Sequence, residues 1–497
     1  MNGDVPLLVG RRERDDSPLQ AKDCGQVTES SLMSTISAST ARLSFRPALS
    51  LADCSDVRED GGSVTRTRVC PTAWLATALA IVLAIFVSFG LPWYTGVDHW
   101  LMPGDITWMT QSAQWAASGA LGTIYQATPW YLTLPGYLFL LGPLVELGRA
   151  LGLVNNYPFP IPHPSMWLLT GPFTAVACAS VVPATDRLAA ELGISQPRRK
   201  ALALAIAVLI AVPTAIFSGH GEDMLALAGV ELAAVAAIKG HWGRVGWIIG
   251  CAVLFQEWAI LAIPVLVLAS PRGERARLSI RAVGPGAALG ALLLALDWKH
   301  AYFDLIVQPA VFKGQQLIWW QWSNTVSVPG TTAVGVTGST FRTAAVITAV
   351  AAAIVLTRRC TPARIVAALA IAFFARGFFE VELWPYYLAP AAIMIGLLAA
   401  RVPRKRVATA FAGALGMYSV SSFAYEGVST NSALATAVVA ACGVLAFAAV
   451  TPPSALRELS NSVRSAIAHK GRQLLVDYDR IDPATHFHPV GAVEDKR

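Results

Sequence analysis

The sequence predicts an all-α integral membrane protein with about twelve transmembrane helices and outer-side interfacial helices, and three observations predict it. Of 497 residues, 55% are hydrophobic and only 14% are charged, whereas soluble domains carry charge on about a quarter of theirs. Apolar runs long enough to cross a bilayer recur from Trp74 onward, each stopped by a polar or basic cluster. None of the runs alternates strictly, which removes the closed barrel and leaves helices as the way to satisfy backbone groups in lipid.

The net charge of +7 would suit a nucleic acid if the cations were spread over one face. Here they sit in clusters between apolar runs, as the loops that orient a membrane protein do, so the expected partner is the lipid bilayer and not nucleic acid. Seven cysteines form no CxxC pair and no metal-ligand spacing. The first apolar run begins too deep in the chain for a secretory signal. Residues 1–72, rich in Ser, Thr, Asp and Arg, are expected as a disordered cytoplasmic tail, and 451–497 as a second cytoplasmic tail. The membrane domain is expected over 73–450.

Each element is placed by charge counting. Arg66 and Arg68 precede the run 74–93, so the N-terminus reads as cytoplasmic. The segment 94–129 has Asp98 and Asp105 but no Lys or Arg, which suits the outer side. The stretch 130–148, broken by Pro135, Gly136, Gly142 and Pro143, is expected to rest in the outer interface, because a crossing there would put Arg198, Arg199 and Lys200 outside. Runs at 166–187, 201–218 and 222–239 then alternate. The stretch 244–270 returns to its starting side as a hairpin with Gln256-Glu257-Trp258 near the tip. After 282–298 comes a long outer loop, 299–342, with Trp319, Trp320 and Trp322, and then runs near 343–357, 363–381, 385–400, 407–425 and 431–450. Both termini are expected inside, with outer segments at 94–166, 218–223 and 299–342.

Several residues could carry chemistry. Asp105, in Pro103-Gly104-Asp105-Ile106-Thr107-Trp108, is a carboxylate at the membrane face, suited to be a general base or simply a helix cap. His220, Glu222 and Asp223 cluster at a helix entrance and could bind a phosphate or hydroxylated substrate, or form a solvated turn. One His and two acids at this spacing supply too few ligands for a metal, and no metal or cofactor is expected. Glu257, Arg376 and Glu380 lie in apolar surroundings, where ionisable groups face a cavity or a partner. Arg376 and Glu380 are four apart, which suits an ion pair. Trp384-Pro385-Tyr386-Tyr387 suits sugar stacking or an interfacial belt. Lys299, His300, Lys313 and Arg342 are outer-side cations that could meet a phosphate. No Walker A, GxSxG or HExxH string is present.

The outer Asp105 with an amphipathic segment after it resembles the glycosyltransferase C superfamily. The string from Gly219-His220-Gly221-Glu222-Asp223 to Ala228, then Glu257-Trp258-Ala259 and Pro264, is similar to the GHPEDxLA and KxWALLxxP strings of an actinobacterial, polyprenyl-phosphate-sugar-dependent group near family 87. Phe379-Glu380, Pro385-Tyr386-Tyr387-Leu388 and Pro390 resemble its FExxxxPYYLxP stretch. Two positions depart: Gly221 replaces a Pro, and Gln256-Glu257 replaces a Lys-containing pair. The resemblance implies a mannosyltransferase-like enzyme that moves a hexose from a polyprenyl-phosphate donor to a glycan or glycolipid hydroxyl, with inversion. It implies Asp105 as catalytic base, with His220, Glu222 and Asp223 lining the same outer cavity and Glu380, Tyr386 and Tyr387 its far wall; Glu257 and Arg376 join the substrate-binding candidates on their apolar surroundings alone. A secondary transporter or lipid flippase, and an inactive relative serving as scaffold, are the alternatives.

Overall fold

The apolar runs become helices that pack side by side. The computed structural model describes residues 69–96, 99–127, 133–155, 163–309, 315–322, 324–327, 334–337, 339–357, 361–423 and 432–451. The two expected tails fall almost entirely outside these residues, as do Asp98 and Lys313. In chain order come α1 (Pro71–Thr95), α2 (Gly104–Ala117), α3 (Gly136–Ala150), α4 (Trp167–Glu191) and α5 (Gln196–Ser218). Next are α6 (Gly221–Ile238), α7 (Trp242–Phe255), α8 (Ala262–Ala269), α9 (Arg272–Leu296) and α10 (Trp298–Ile306). The last are α11 (Ser339–Leu356), α12 (Pro362–Phe379), α13 (Ala389–Ala399), α14 (Arg404–Phe423) and α15 (Ser432–Val450).

Six of these, α1, α4, α5, α9, α12 and α15, are long and apolar enough to cross a membrane. Their outward faces fit lipid: Trp74, Leu75, Val82, Ile280 and Val444 are exposed, a surface that water would penalise. Trp93 at the end of α1 is 90% exposed and Trp298 at the start of α10 is 64% exposed, as in an aromatic belt. The opposite case is α6. It is buried along nearly its whole length, including Glu231, whose carboxylate accepts from Thr185 Oγ1 at 2.8 Å, so it forms the centre of the bundle. Helix α3 has 15 residues with Pro143 inside; at about 1.5 Å per residue it is shorter than the hydrocarbon core.

Close approaches at glycines give helix directions. Gly246 lies against Leu278 and Arg281, and Gly250 against Pro285, so α7 and α9 run parallel. The chain between them must therefore come back, and it turns at Gln256, where the backbone leaves the helix (φ −155, ψ 123) for a 3-10 turn over Glu257–Leu261.

One end of the bundle collects arginines. Arg198 donates to Ala400 O at 2.7 Å, Arg275 to Leu268 O at 3.3 Å and Arg406 to Thr451 O at 3.4 Å. Each cation thus meets carbonyls that a helix C-terminus leaves unpaired, and it meets them where the helix dipole favours positive charge. Arg199 pairs with the fully buried Asp186 at 2.6 Å, and Asp186 also accepts Cys70 N at 2.7 Å, which ties the starts of α1 and α5 to α4. Lys239 pairs with Glu191 at 2.8 Å.

The few strands serve the other end. β1 (Gln308–Pro309), β3 (Asn324–Ser327) and β4 (Val334–Thr337) form a small antiparallel sheet in the order β1-β4-β3. β2 (Gln315–Gln316) pairs with β5 (Glu382–Leu383) in antiparallel register, Gln315 opposite Leu383. Leu317 N continues this pairing to Val381 O at 3.1 Å. The long segment after α10 is thereby fastened beside the chain that leaves α12.

Candidate functional site

Helix α5 ends in a π-helical turn, Thr214–Ser218, directly after Pro213. Such turns recur near functional sites because they re-aim the residues next in the chain. Gly219 then adopts φ +71, and a Cβ there would also lie 2.9 Å from Pro103 Cβ, so glycine serves both the left-handed backbone and the close approach of α2. This turn delivers His220 to the start of α6, with Glu222 and Asp223 in its first turn, where the dipole favours acids.

Asp105 lies in the first turn of α2, but the cap position is Pro103 and no side chain caps the helix. Asp105 instead turns to α6: its Oδ2 lies 3.0 Å from His220 Nε2. The other ring nitrogen, Nδ1, lies 2.5 Å from Glu222 Oε1 and 3.5 Å from Asp223 Oδ2. Trp258, on the turn after α7, donates through Nε1 to Asp223 Oδ1 at 2.5 Å. The Tyr386 ring stacks on the imidazole with centroids 3.8 Å apart. The guanidinium of Arg376 sits 4.1 Å from the Tyr387 ring and 5.5 Å from the Trp258 ring, a cation–π clamp. Segments far apart in sequence thus meet at the end of the bundle opposite the arginines.

Exposure falls through the cluster. The Asp105 side chain is 53% exposed, that of His220 12%, and those of Glu222 and Asp223 1% each. Burial opposes charge on His220, but Glu222 and Asp105 on either side outweigh it and raise its pKa well above the ordinary imidazole value. The ring thus bridges an exposed and a buried carboxylate. Several buried atoms hold no hydrogen bond: Glu222 Oε2, Asp223 Oδ2, Gln256 Oε1, Arg376 Nη1 and Glu380 Oε1. Native interiors leave few such atoms, and those they leave mark strain, function or an absent partner.

The structure joins Asp105, His220, Glu222, Asp223, Tyr386, Tyr387 and Arg376 in one contact chain. The helical pairing of Arg376 with Glu380 is corrected: α12 ends at Phe379, Glu380 is in extended backbone (ψ 149), and its ion-pair partner is Arg342 at 3.7 Å. An (i, i+4) contact needs both residues in helix. Glu257 stands on the turn next to Trp258, near enough to Arg376 and Asp223 to feel their charges, although no described hydrogen bond or ion pair ties it to them. Trp319 packs on Phe341, Phe378 and Phe379 and donates to Phe378 O at 2.6 Å.

Sequence reasoning missed Trp258 as the partner of Asp223, although its place beside Glu257 in an apolar stretch was a usable signal. It also missed Tyr137. A Cβ at Gly221 would fall 2.7 Å from Tyr137 Oη and 3.0 Å from Ala177 Cβ, so Tyr137 and Ala177 together account for glycine at this position. No signal within one sequence links positions 137 and 221.

The group that could hold a cation is His220, Glu222 and Asp223, whose ligand atoms lie within 4.8 Å of one another. No protein-family model matches the chain, and no curated protein matches it either.

Proposed function

We propose that the protein is a membrane glycosyltransferase that moves a hexose, mannose being the expected sugar, from a polyprenyl phosphate to a hydroxyl of a cell-envelope glycan or glycolipid. Helices α1 to α15 make about twelve crossings in this reading, with the arginine end cytoplasmic by the positive-inside rule and the site on the outer face. The observation that carries it is the half-exposed Asp105, held by His220 at the mouth of a buried polar cluster.

His220 holds Oδ2 of Asp105 and leaves Oδ1 for an acceptor. Asp105 takes the acceptor's proton as that oxygen attacks the anomeric carbon, the bond from that carbon to the phosphate oxygen breaks, and the polyprenyl phosphate leaves from the opposite face with its electron pair. Inversion results from attack in line. Arg376, with Nη1 lacking a hydrogen bond, is the cation best placed to meet the phosphate. Trp258, Tyr386 and Tyr387 offer ring faces to a sugar. Glu231, buried in the middle of α6 beside Thr185, is the feature that would suit the rival reading, a transporter.

The test is transfer of radiolabelled sugar from polyprenyl-phosphate mannose to an envelope-lipid extract, in membranes with wild type, Asp105→Asn or Asp98→Asn at matched protein levels. Transfer lost only with Asp105→Asn supports the reading. A wild type inactive with this donor and with polyprenyl-phosphate arabinose refutes it and favours transport.

A further inference from the structure

The floor of the site carries more negative charge than its surroundings balance. Glu222, Asp223 and Asp105 contribute three carboxylates, against His220 and the Arg376 guanidinium, which is set back behind the Trp258 and Tyr387 rings. The described ion pairs bring no Lys or Arg to Glu222 or Asp223; their partner there is His220. Both residues are fully buried, and each keeps one oxygen without a hydrogen bond. The free oxygen of Asp223 lies 3.5 Å from His220 Nδ1, on the same side of the ring as Glu222, so it points into the group. Buried charge in this arrangement is costly unless a proton or a cation completes it.

We infer that His220 Nδ1, Glu222 and Asp223 bind a divalent transition-metal cation such as Mn²⁺ or Zn²⁺. Ligands on one such ion are about 3 to 4.4 Å apart, given bonds of about 2.0–2.2 Å; His220 Nδ1 and Asp223 Oδ2 stand 3.5 Å apart, and with one atom from each residue within 4.8 Å of the others small side-chain adjustments bring the three onto one ion. One imidazole nitrogen with two carboxylates favours a cation softer than Mg²⁺ or Ca²⁺. Three protein ligands leave positions open for water or substrate oxygens.

The second nitrogen of the ring strengthens the assignment. A histidine that ligates through one nitrogen usually donates its other N–H to a carboxylate, which fixes tautomer and orientation. Nε2 of His220 faces Asp105 Oδ2 at 3.0 Å, so Asp105 is the positioning residue of the site. Binding replaces the proton on Nδ1, and it therefore weakens as pH falls. The spacing of the three ligands in sequence argued against a metal because it shows neither their convergence nor Asp105 behind the ring.

The test uses the purified full chain in lipid nanodiscs and reads binding alone, so its failure is distinct from failure of the transfer assay. Mn²⁺ is titrated by electron paramagnetic resonance, with Zn²⁺ as competitor, and electron spin-echo modulation reports any coordinating nitrogen. One Mn²⁺ per chain with nitrogen modulation is expected. His220→Gln is expected to lose the nitrogen signal, and Asp223→Asn to weaken binding. Asp105→Asn keeps the nitrogen signal while its affinity falls about 10- to 100-fold. Asp297→Asn, an acid outside the site, binds as wild type does. The wild-type nitrogen signal stands even if a ligand variant misfolds. No stoichiometric Mn²⁺ or Zn²⁺ in wild type up to about 1 mM, a bound ion without nitrogen modulation, or a loss in Asp297→Asn equal to that in the ligand variants overturns the inference.

Discussion

The two ends of the helix bundle handle buried polar groups in opposite ways. At the arginine end each named charge has a partner: Arg198, Arg275 and Arg406 meet helix-terminal carbonyls, Arg199 meets Asp186, and Lys239 meets Glu191. At the other end Glu222, Asp223, Gln256, Arg376 and Glu380 each keep a buried atom without a hydrogen bond. Satisfied polar groups lock a structure together, whereas unsatisfied ones store a cost that a ligand can relieve. The first end reads as architecture and the second as a binding site.

Substitutions at the two ends should separate activity from stability. The largest effect is expected at Asp105. Asp105→Asn removes the base and should slow sugar transfer about 100- to 10,000-fold. Because the side chain is half exposed and only its bond to His220 Nε2 is weakened, the same change should lower stability in nanodiscs by no more than about 2 kcal/mol. Unfolding of the protein with unimpaired transfer would reverse the assignment of that end.

Asp186→Asn is the counterpart at the arginine end. It strips Arg199 of its ion-pair partner in a buried setting and weakens the tie to Cys70 N. A loss of about 3–5 kcal/mol in stability is expected, read by denaturant unfolding, with turnover per folded molecule unchanged. A variant of native stability would mean that water reaches this pair.

The difference between the ends also explains what the sequence disclosed. Apolar runs and basic clusters are local signals, so the helices and the arginine end were legible from composition and charge counting. Asp105, His220, Glu222 and Asp223 were legible as candidates because acids and a histidine stand out in apolar surroundings. Their partnerships were not. The contact of His220 with Asp105 spans 115 positions, and no periodicity reports a contact of that kind. The Arg376–Glu380 pair failed for a related reason: the helix stops at Phe379, and an apolar pattern does not reveal where a helix ends.

Asp304 tests whether unsatisfied polar groups extend beyond the cluster. It is buried on α10, and neither carboxylate oxygen holds a hydrogen bond. Burial, with Asp297 nearby, pushes its pKa up to about 9. In the unfolded chain an aspartate titrates near 3.9, so this raised pKa costs no stability below about pH 4 and progressively more as pH rises toward 9. Asp304→Asn should flatten that slope and stabilise the protein at neutral pH by at most about 4 kcal/mol. The check is unfolding free energy measured from pH 5 to pH 9 for both proteins. Parallel pH profiles would show that Asp304 is solvated and that the unsatisfied groups end at the cluster.

The smallest expected effect concerns how tightly the site is packed. A Cβ at position 221 would stand 2.7 Å from Tyr137 Oη and 3.0 Å from Ala177 Cβ, and neither separation is tolerated without movement. Gly221→Ala should therefore cost about 1–3 kcal/mol through overpacking, opposed only slightly by the helix propensity that alanine adds at the first position of α6. Tyr137→Phe removes the hydroxyl that Cβ meets first, so the double variant should recover part of the loss; the coupling between the two positions is read from a double-mutant cycle. Transfer activity should fall with the single variant as well, since α6 carries His220, Glu222 and Asp223 from its first turn and must shift to admit the methyl group. An additive cycle would show that Ala177 alone blocks the position. In that case the glycine answers to the packing of α4 against α6, and the site end shares the architectural role of its opposite.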